Sequence, residues 1–142
     1  MKSSFLLVLI LLIALLSSCL TTRGDWEFDG LPQNYSIVRM NSRNIVLGQS
    51  NEVGWTHIVP TYISEVAYND NYIFVKRVDV PKDINEKIDT SNPEYYIVVV
   101  ETDEVLGAFT EEEFNKKCEE IPITEFPEWI ITTTLKRYSN SD

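Results

Sequence analysis

Histidine and cysteine, which provide catalytic bases, thiol nucleophiles and strong metal ligands, are scarce in this chain. There is one histidine, His57, and there are two cysteines, Cys19 and Cys118. A Ser-His-Asp or Cys-His system would have to use His57, and Cys118 could in principle pair with it. No local signature of such a system surrounds either residue. One histidine and one spare cysteine also cannot make a structural zinc site, so the sequence predicts neither a catalytic centre nor a metal site.

Carboxylates are abundant, with 22 Asp and Glu residues. The acidic positions Glu101, Asp103, Glu104 and 111–113 are close in sequence, but no Asp-x-Asp-x-Asp-Gly calcium loop occurs. Two carboxylates could hydrolyse cell-wall glycans, which would require a cleft holding a pair about 5–10 Å apart. With so many acids some pair is inevitable, so this pattern is not specific. The five glycines do not cluster into a phosphate-binding loop, and no cofactor is predicted.

The N-terminus has the pattern of an export signal. Lys2 precedes an apolar run from Phe5 to Leu16, and two serines then lead to Cys19. A charged start, a short apolar core and a small-residue cleavage site are typical of a secretory signal peptide, predicted here over residues 1–18. The core of about 12 residues is shorter than the roughly 20 that a membrane-spanning helix needs.

The four residues Leu16-Ser17-Ser18-Cys19 resemble the lipobox of bacterial lipoproteins. This resemblance implies cleavage between Ser18 and Cys19 and attachment of diacylglycerol to the Cys19 thiol, with palmitate among the acyl chains. Two or more acyl chains give stable anchoring, so the protein would sit on the extracytoplasmic face of the cell membrane. The alternatives are an ordinary signal peptide with an incidental cysteine and a bitopic anchor.

Charge restricts the partners that the mature chain can have. Loss of the leader removes only Lys2, which leaves 11 basic residues against 22 acidic ones. Such an excess of acid argues against nucleic acid, because binding there depends on neutralising phosphates. Because Cys19 is assigned to lipid, Cys118 is left without an intramolecular disulfide partner.

Hydrophobic periodicity predicts an α+β fold, with one antiparallel sheet of roughly five to seven strands and one helix on a face. The helix is expected over 110–121, where Thr110 and Glu113 have the spacing of a capping box. Phe114, Cys118 and Ile121 would form its core-facing stripe, so Cys118 is expected to be a buried, inert thiol. Strands are predicted over 35–40, 45–47, 72–78, 95–100, 105–109 and 129–135. A further β-rich stretch covers 55–68, in which Pro60 should break the strand or lie on an edge and 62–68 is the clearer half.

The segments between these elements complete the predicted organisation. Residues 19–34 are expected to be a lipidated N-terminus and tether, 35–138 a single domain, and 139–142 a disordered tail. Residues 48–54 are polar and predicted to be a loop. The long 79–94 segment is predicted to be either a mobile or a functional loop. Trp26 and Trp55 could cap the edges of the core or anchor an interface.

Several segments together resemble a family of small Gram-positive lipoproteins known only as a domain of unknown function. They are the lipobox, Asn34–Arg39, Asn71–Arg77 and the run from Tyr95 through Gly107 to Phe114. The resemblance implies a fold and no catalytic residues. The first functional hypothesis is a non-enzymatic binding module for an envelope protein, a peptide or a cell-wall component. The alternatives are an envelope hydrolase with paired carboxylates and an immunity-type inhibitor.

Overall fold

The computed structural model describes residues 26–135, which form nine strands, one α-helix and one short 3-10 helix. The α+β class, with antiparallel pairing and one helix, is confirmed. The predicted signal peptide, Ser18, Cys19 and the 139–142 tail lie outside the described residues. In chain order the elements are β1 (Trp26–Phe28), β2 (Tyr35–Asn41), β3 (Asn44–Asn51), β4 (Gly54–Val59), β5 (Ile63–Tyr68), β6 (Tyr72–Arg77), β7 (Glu94–Val99), β8 (Glu104–Phe109), α1 (Glu111–Glu120), β9 (Ile130–Ile131) and the 3-10 helix (Thr132–Thr134).

The strands form two antiparallel sheets where the sequence predicts one. Sheet 1 has the order β1-β2-β3-β4, and sheet 2 has the order β8-β7-β6-β5-β9. β1 and β9 are three and two residues long, too short to show a clear alternation in the sequence. Part of the predicted tether is therefore folded, because Trp26–Phe28 pairs with β2 and Phe28 is buried.

A first hydrophobic core, the inner core, lies between the two sheets. Ile37 and Leu47 contribute to it from sheet 1, and Val66, Ile73 and Val98 contribute from sheet 2. All five side chains are fully buried. Because both sheets supply residues to one cluster, the sheets pack face to face.

A second core, the outer core, covers the other face of sheet 2. It contains Phe74 and Ile97 from the sheet and Phe114 from α1, with Trp129 packed against it. Phe74 alternates along β6 with Ile73 and Val75, which point into the inner core. Sheet 2 is consequently buried on both faces, which explains why its central strands are apolar at nearly every position.

The local signals around α1 are confirmed. The Thr110 side chain accepts from Glu113 N, and Glu113 Oε2 accepts from Thr110 N at 2.8 Å, so the capping box is complete. Glu111 is the first helical residue, and Ile121 follows the helix just before Pro122. In the described part of the chain, no helix is both long enough and apolar enough to cross a membrane.

The C-terminal prediction needs a correction in length. Only Ile130–Ile131 of the predicted 129–135 strand pairs, antiparallel to β5. The chain then turns into the 3-10 helix, where the buried Thr132 hydroxyl donates to Ile63 O at 2.7 Å. Because the Thr132 side chain takes the place of a main-chain donor at this carbonyl of β5, the pairing of β9 with β5 ends there.

Candidate functional site

The two predicted nucleophile candidates do not meet. His57 is exposed on β4 of sheet 1, whereas Cys118 lies on α1 and packs against the outer core. Sheet 2 and the inner core lie between them, so no Cys-His pair forms. Burial raises the pKa of the Cys118 thiol, which favours its protonated, unreactive form. The prediction of a core-facing thiol is confirmed, although Cys118 is only partly buried.

The acidic residues do not form a catalytic cleft in the region where they are densest. A shallow, open depression on α1 is lined by Glu111, Glu112 and Glu119 among polar neighbours, and all three side chains are exposed to solvent. Exposed carboxylates have no desolvated environment that would tune one as an acid and another as a base. Within residues 26–135, no group of three or more His, Cys, Asp or Glu side chains could hold a metal ion.

The open edge of sheet 1 has the properties of a binding site. β4 is the last strand of that sheet, and no other strand within residues 26–135 pairs with its outer edge. Its sequence, Gly-Trp-Thr-His-Ile-Val, contains no charged residue. An edge strand turns alternate main-chain N–H and C=O groups away from its neighbour, and natural proteins commonly protect such edges with charges or prolines. On β4, protection is confined to Pro60, one residue beyond the strand, and to an irregularity in pairing beside Gly48.

The other edges are better protected. β1 and β9 are very short, which limits how many hydrogen bonds they can offer. β8 is six residues long but begins with Glu104, and its pairing with β7 is interrupted between Tyr95 and Ile97. Gly107 in β8 has a φ of 130°, a conformation outside the regular strand region. β4 is therefore the edge most suited to pairing with another chain.

Two aromatic side chains mark the face of sheet 1 that points away from sheet 2. Trp55 and His57 are separated by one residue on β4, so they share this face. Their rings meet edge to face with centroids 4.9 Å apart. Trp55 Nε1 also lies 3.4 Å from Ser36 Oγ of β2, and this long hydrogen bond helps to orient the indole ring. The pair forms a rigid, largely apolar surface directly beside the open edge.

Gly48 of β3 is what allows this arrangement. A Cβ atom at position 48 would lie 1.9 Å from Cζ2 of Trp55, so the indole ring occupies the space of the missing side chain. The predicted 48–54 loop is thus wrong at its start, because Gly48–Asn51 continues β3 and Gly54 begins β4. The contact between positions 48 and 55 turns a polar, loop-like sequence into a paired strand.

Trp55 lies within β4, in the first half of the predicted β-rich stretch 55–68. Trp26 lies in β1 and packs against the inner core, so of the two predicted alternatives it caps the edge of the core. The 55–68 stretch forms two strands, β4 and β5, which are separated at Pro60. A proline is expected to break a strand or to lie on an edge, and Pro60 does follow the last residue of an edge strand.

The chain was compared with models of known protein families. A family model described as "Protein of unknown function (DUF3997)" matches residues 32–128. The chain belongs to the DUF3997 family. The DUF3997 match runs from the residues before β2 to the segment after α1, so it includes β2 to β8 and α1 and leaves out the short edge strands β1 and β9. Neither a curated protein nor a solved structure matches the chain.

Proposed function

We propose that this protein is a lipid-anchored, non-enzymatic interaction module of the cell envelope that binds an extended peptide segment of a partner protein by strand addition to β4. The single observation that carries the binding role is the uncharged open edge of β4. In strand addition, main-chain hydrogen bonds provide affinity and neighbouring side chains provide selectivity.

The anchor is supported by the sequence. The leader over residues 1–18 ends in Leu16-Ser17-Ser18-Cys19, and the proposal places diacylglycerol on the Cys19 thiol. Six residues separate Cys19 from β1, so the folded domain would be held close to the extracytoplasmic face of the membrane. Tethering near a surface raises the effective concentration of partners on that surface, and a modest affinity would then suffice.

A peptide partner fits β4 better than the other ligands considered from the sequence. Trp55 and His57 offer ring faces and edges but only a few hydrogen-bonding groups, whereas the main chain of β4 offers a regular ladder of donors and acceptors. Glycan recognition usually requires several convergent polar side chains beside an aromatic ring. Among residues 26–135, Ser36 is the side chain that hydrogen-bonds to the Trp55 indole.

The anchoring half of the proposal is tested by metabolic labelling with radioactive palmitate in a bacterial host. We expect label in the full chain and in Cys118→Ala, and none in Cys19→Ala. Cys118→Ala is the matched control because it removes the other thiol and leaves Leu16–Cys19 unchanged. Label in Cys19→Ala, or no label in the full chain, would contradict lipidation at Cys19.

The binding half is tested by position-specific photo-cross-linking on intact cells. A photoreactive residue at position 57 of β4 should cross-link to one contiguous segment of a partner protein, identified by mass spectrometry. The same residue at position 105, on the open edge strand β8, is the matched control and should give none of this product. His57→Lys should lower recovery of the partner at least several-fold, because an edge lysine opposes strand pairing, whereas Val105→Lys should not. Equal cross-linking from both edges would refute recognition through β4.

A further inference from the structure

The loop between β6 and β7 is firmly held, although the sequence predicts a mobile or functional segment there. At its neck, Arg77 bridges both ends: Nη2 lies 2.7 Å from Asp79 Oδ1, and Nη1 lies 2.6 Å from Glu94 Oε2. Val80 and Ile88 of the loop pack against the inner core. The loop is therefore fixed to the body of the domain at several points along its length.

Arg43 holds the tip of the same loop from the turn between β2 and β3. Its guanidinium donates to four main-chain carbonyls, those of Pro81, Asp83, Ile84 and Glu86, at 2.7–3.2 Å. A planar guanidinium has five N–H donors spread over a rigid fork, whereas a lysine ammonium has three donors on a single atom. This arrangement fixes the main chain on either side of Ile84 and determines where its side chain points.

That side chain points into solvent. Ile84 is 77% exposed, and Met40, three residues before Arg43 on β2, is 42% exposed. A large aliphatic side chain held in water by a rigid loop gains nothing from the fold itself, whereas burying it elsewhere would be favourable. Because the loop is already ordered, covering Ile84 would cost little conformational entropy. We call the surface formed by Met40, Arg43 and Ile84 the proximal patch.

The start of β1 shows which surface lies nearest to the proximal patch. Trp26 pairs with Arg39, the neighbour of Met40, so the chain enters the fold at this end of sheet 1. From Cys19 to Trp26 there are seven Cα–Cα steps, which span at most about 25 Å. Val53 lies in the turn at the opposite end of β3, roughly 23 Å further away.

We infer that the proximal patch is a membrane-contacting surface, in which Ile84 inserts into the headgroup region of the bilayer while the anchor holds the domain. The inference rests on the proposed lipidation of Cys19, which brings a bilayer within reach of this end. The occupant is lipid and not a protein, because the short connection keeps the patch next to the membrane for as long as the anchor is inserted.

Apolar contact, and not charge, drives this association. The loop carries Lys82 and Lys87 together with Asp79, Asp83, Glu86 and Asp89, so it offers no excess of positive charge to anionic lipid. The stems of the two lysines can lie along the interface with their ammonium groups in water. Binding should consequently be no stronger on anionic than on neutral vesicles.

The test uses the chain from Cys19 onward, which retains every described strand, the helix and both cores. In a Cys118→Ala background, Cys19 is alkylated in vitro with a single-chain lipid maleimide. One acyl chain gives only marginal binding, so an added contact becomes measurable. Partitioning onto phosphatidylcholine vesicles is compared for the unchanged proximal patch, Ile84→Asn, and the matched control Val53→Asn. Val53 is 98% exposed, so neither substitution disturbs a core.

We expect Ile84→Asn to lower the partition coefficient about tenfold and Val53→Asn to leave it unchanged. Ile84→Trp should raise it, because tryptophan favours the bilayer interface. Equal partitioning of all four forms, or an equal loss in both asparagine variants, would overturn the inference. Because the lipid is attached chemically, the result does not depend on whether cells modify Cys19, so failure of this inference and failure of the proposed anchor are distinguishable.

Discussion

The Tyr35 hydroxyl donates a hydrogen bond to Asp103 Oδ1 at 2.5 Å and so ties the first residue of β2 to the turn between β7 and β8. Gln49 Nε2 donates to the same oxygen at 2.8 Å. Sheet 1 therefore supplies two donors to one acceptor that follows a strand of sheet 2. This is a polar link between the sheets at the end away from the proximal patch.

Replacement of Tyr35 by phenylalanine should lower the free energy of unfolding by about 1 kcal/mol at pH 7, because one hydrogen bond to a charged but solvent-exposed acceptor is lost. Urea unfolding followed by circular dichroism measures this change. Gln49→Ala is the comparison variant, since it removes the other donor and leaves the Tyr35 hydrogen bond in place. A loss above about 3 kcal/mol would indicate a packing defect instead.

The effect of Tyr35→Phe on the free energy of unfolding should depend on pH in the alkaline range. Burial, and then the hydrogen bond to and charge of Asp103, raise the pKa of Tyr35 above its usual value near 10. The stability from this group is thus complete below about pH 10 and is lost as the pH rises further. The difference between the protein and Tyr35→Phe should narrow above about pH 10. Buried tyrosines elsewhere have the same effect on both proteins, so a constant difference would contradict this assignment.

Replacement of Arg43 by alanine should release the tip of the β6–β7 loop. Four hydrogen bonds to main-chain carbonyls disappear, for an expected loss of about 1–2 kcal/mol in a largely exposed setting. Trypsin should then cleave faster after Lys82 and Lys87. Arg43→Lys should be intermediate, because an ammonium group cannot reach all four carbonyls. Lys117→Ala on α1 is the control. Equal rates of cleavage in Lys117→Ala and Arg43→Ala would show that Arg43 does not hold the tip of the loop.

A methyl group at position 48 should displace the Trp55 ring. Gly48→Ala is expected to destabilise the protein by about 1–3 kcal/mol through overpacking. In a Trp55→Ala background the same substitution should cost far less, because the space is then empty. Unfolding free energies of the two single variants and the double variant give the coupling directly. Simple additivity would show that Trp55 does not occupy the space above Gly48.

Local interactions in this fold are predictable from the sequence. The capping box needs only Thr110 and Glu113, three residues apart, and the β5–β6 hairpin needs only two apolar runs around Asn69 and Asn71. In that hairpin, Asn69 Oδ1 accepts from Asn71 N and Tyr72 N, the side-chain chemistry expected of a turn. Such features depend only on residues that are close in sequence, so they can be predicted from one sequence.

The division into two sheets and the site itself are not predictable in this way. An alternation of apolar and polar residues is absent from Gly48–Asn51, and the pairing of this segment depends on the Trp55 ring that covers Gly48. The firmly held 79–94 loop depends on Arg43, about 40 residues earlier in the chain. Residue type alone singles out His57, but its place beside an open edge follows from strand order, which period-two patterns do not encode.

Sheet 1 is built from one continuous stretch of chain, residues 26–59, with each strand paired to its predecessor. Its hairpins can therefore form as soon as this stretch has been synthesised or exported, before any strand of sheet 2 is present. Its inner face would stay uncovered until β5 to β7 arrive, and a sheet with an uncovered apolar face is only marginally stable. The hydrogen bond from Thr132 to the carbonyl of Ile63 joins positions 69 residues apart, so it can form only after the rest of sheet 2 has been synthesised. In folding from the N-terminus, strand pairing within sheet 1 would thus precede the packing of the two sheets against each other.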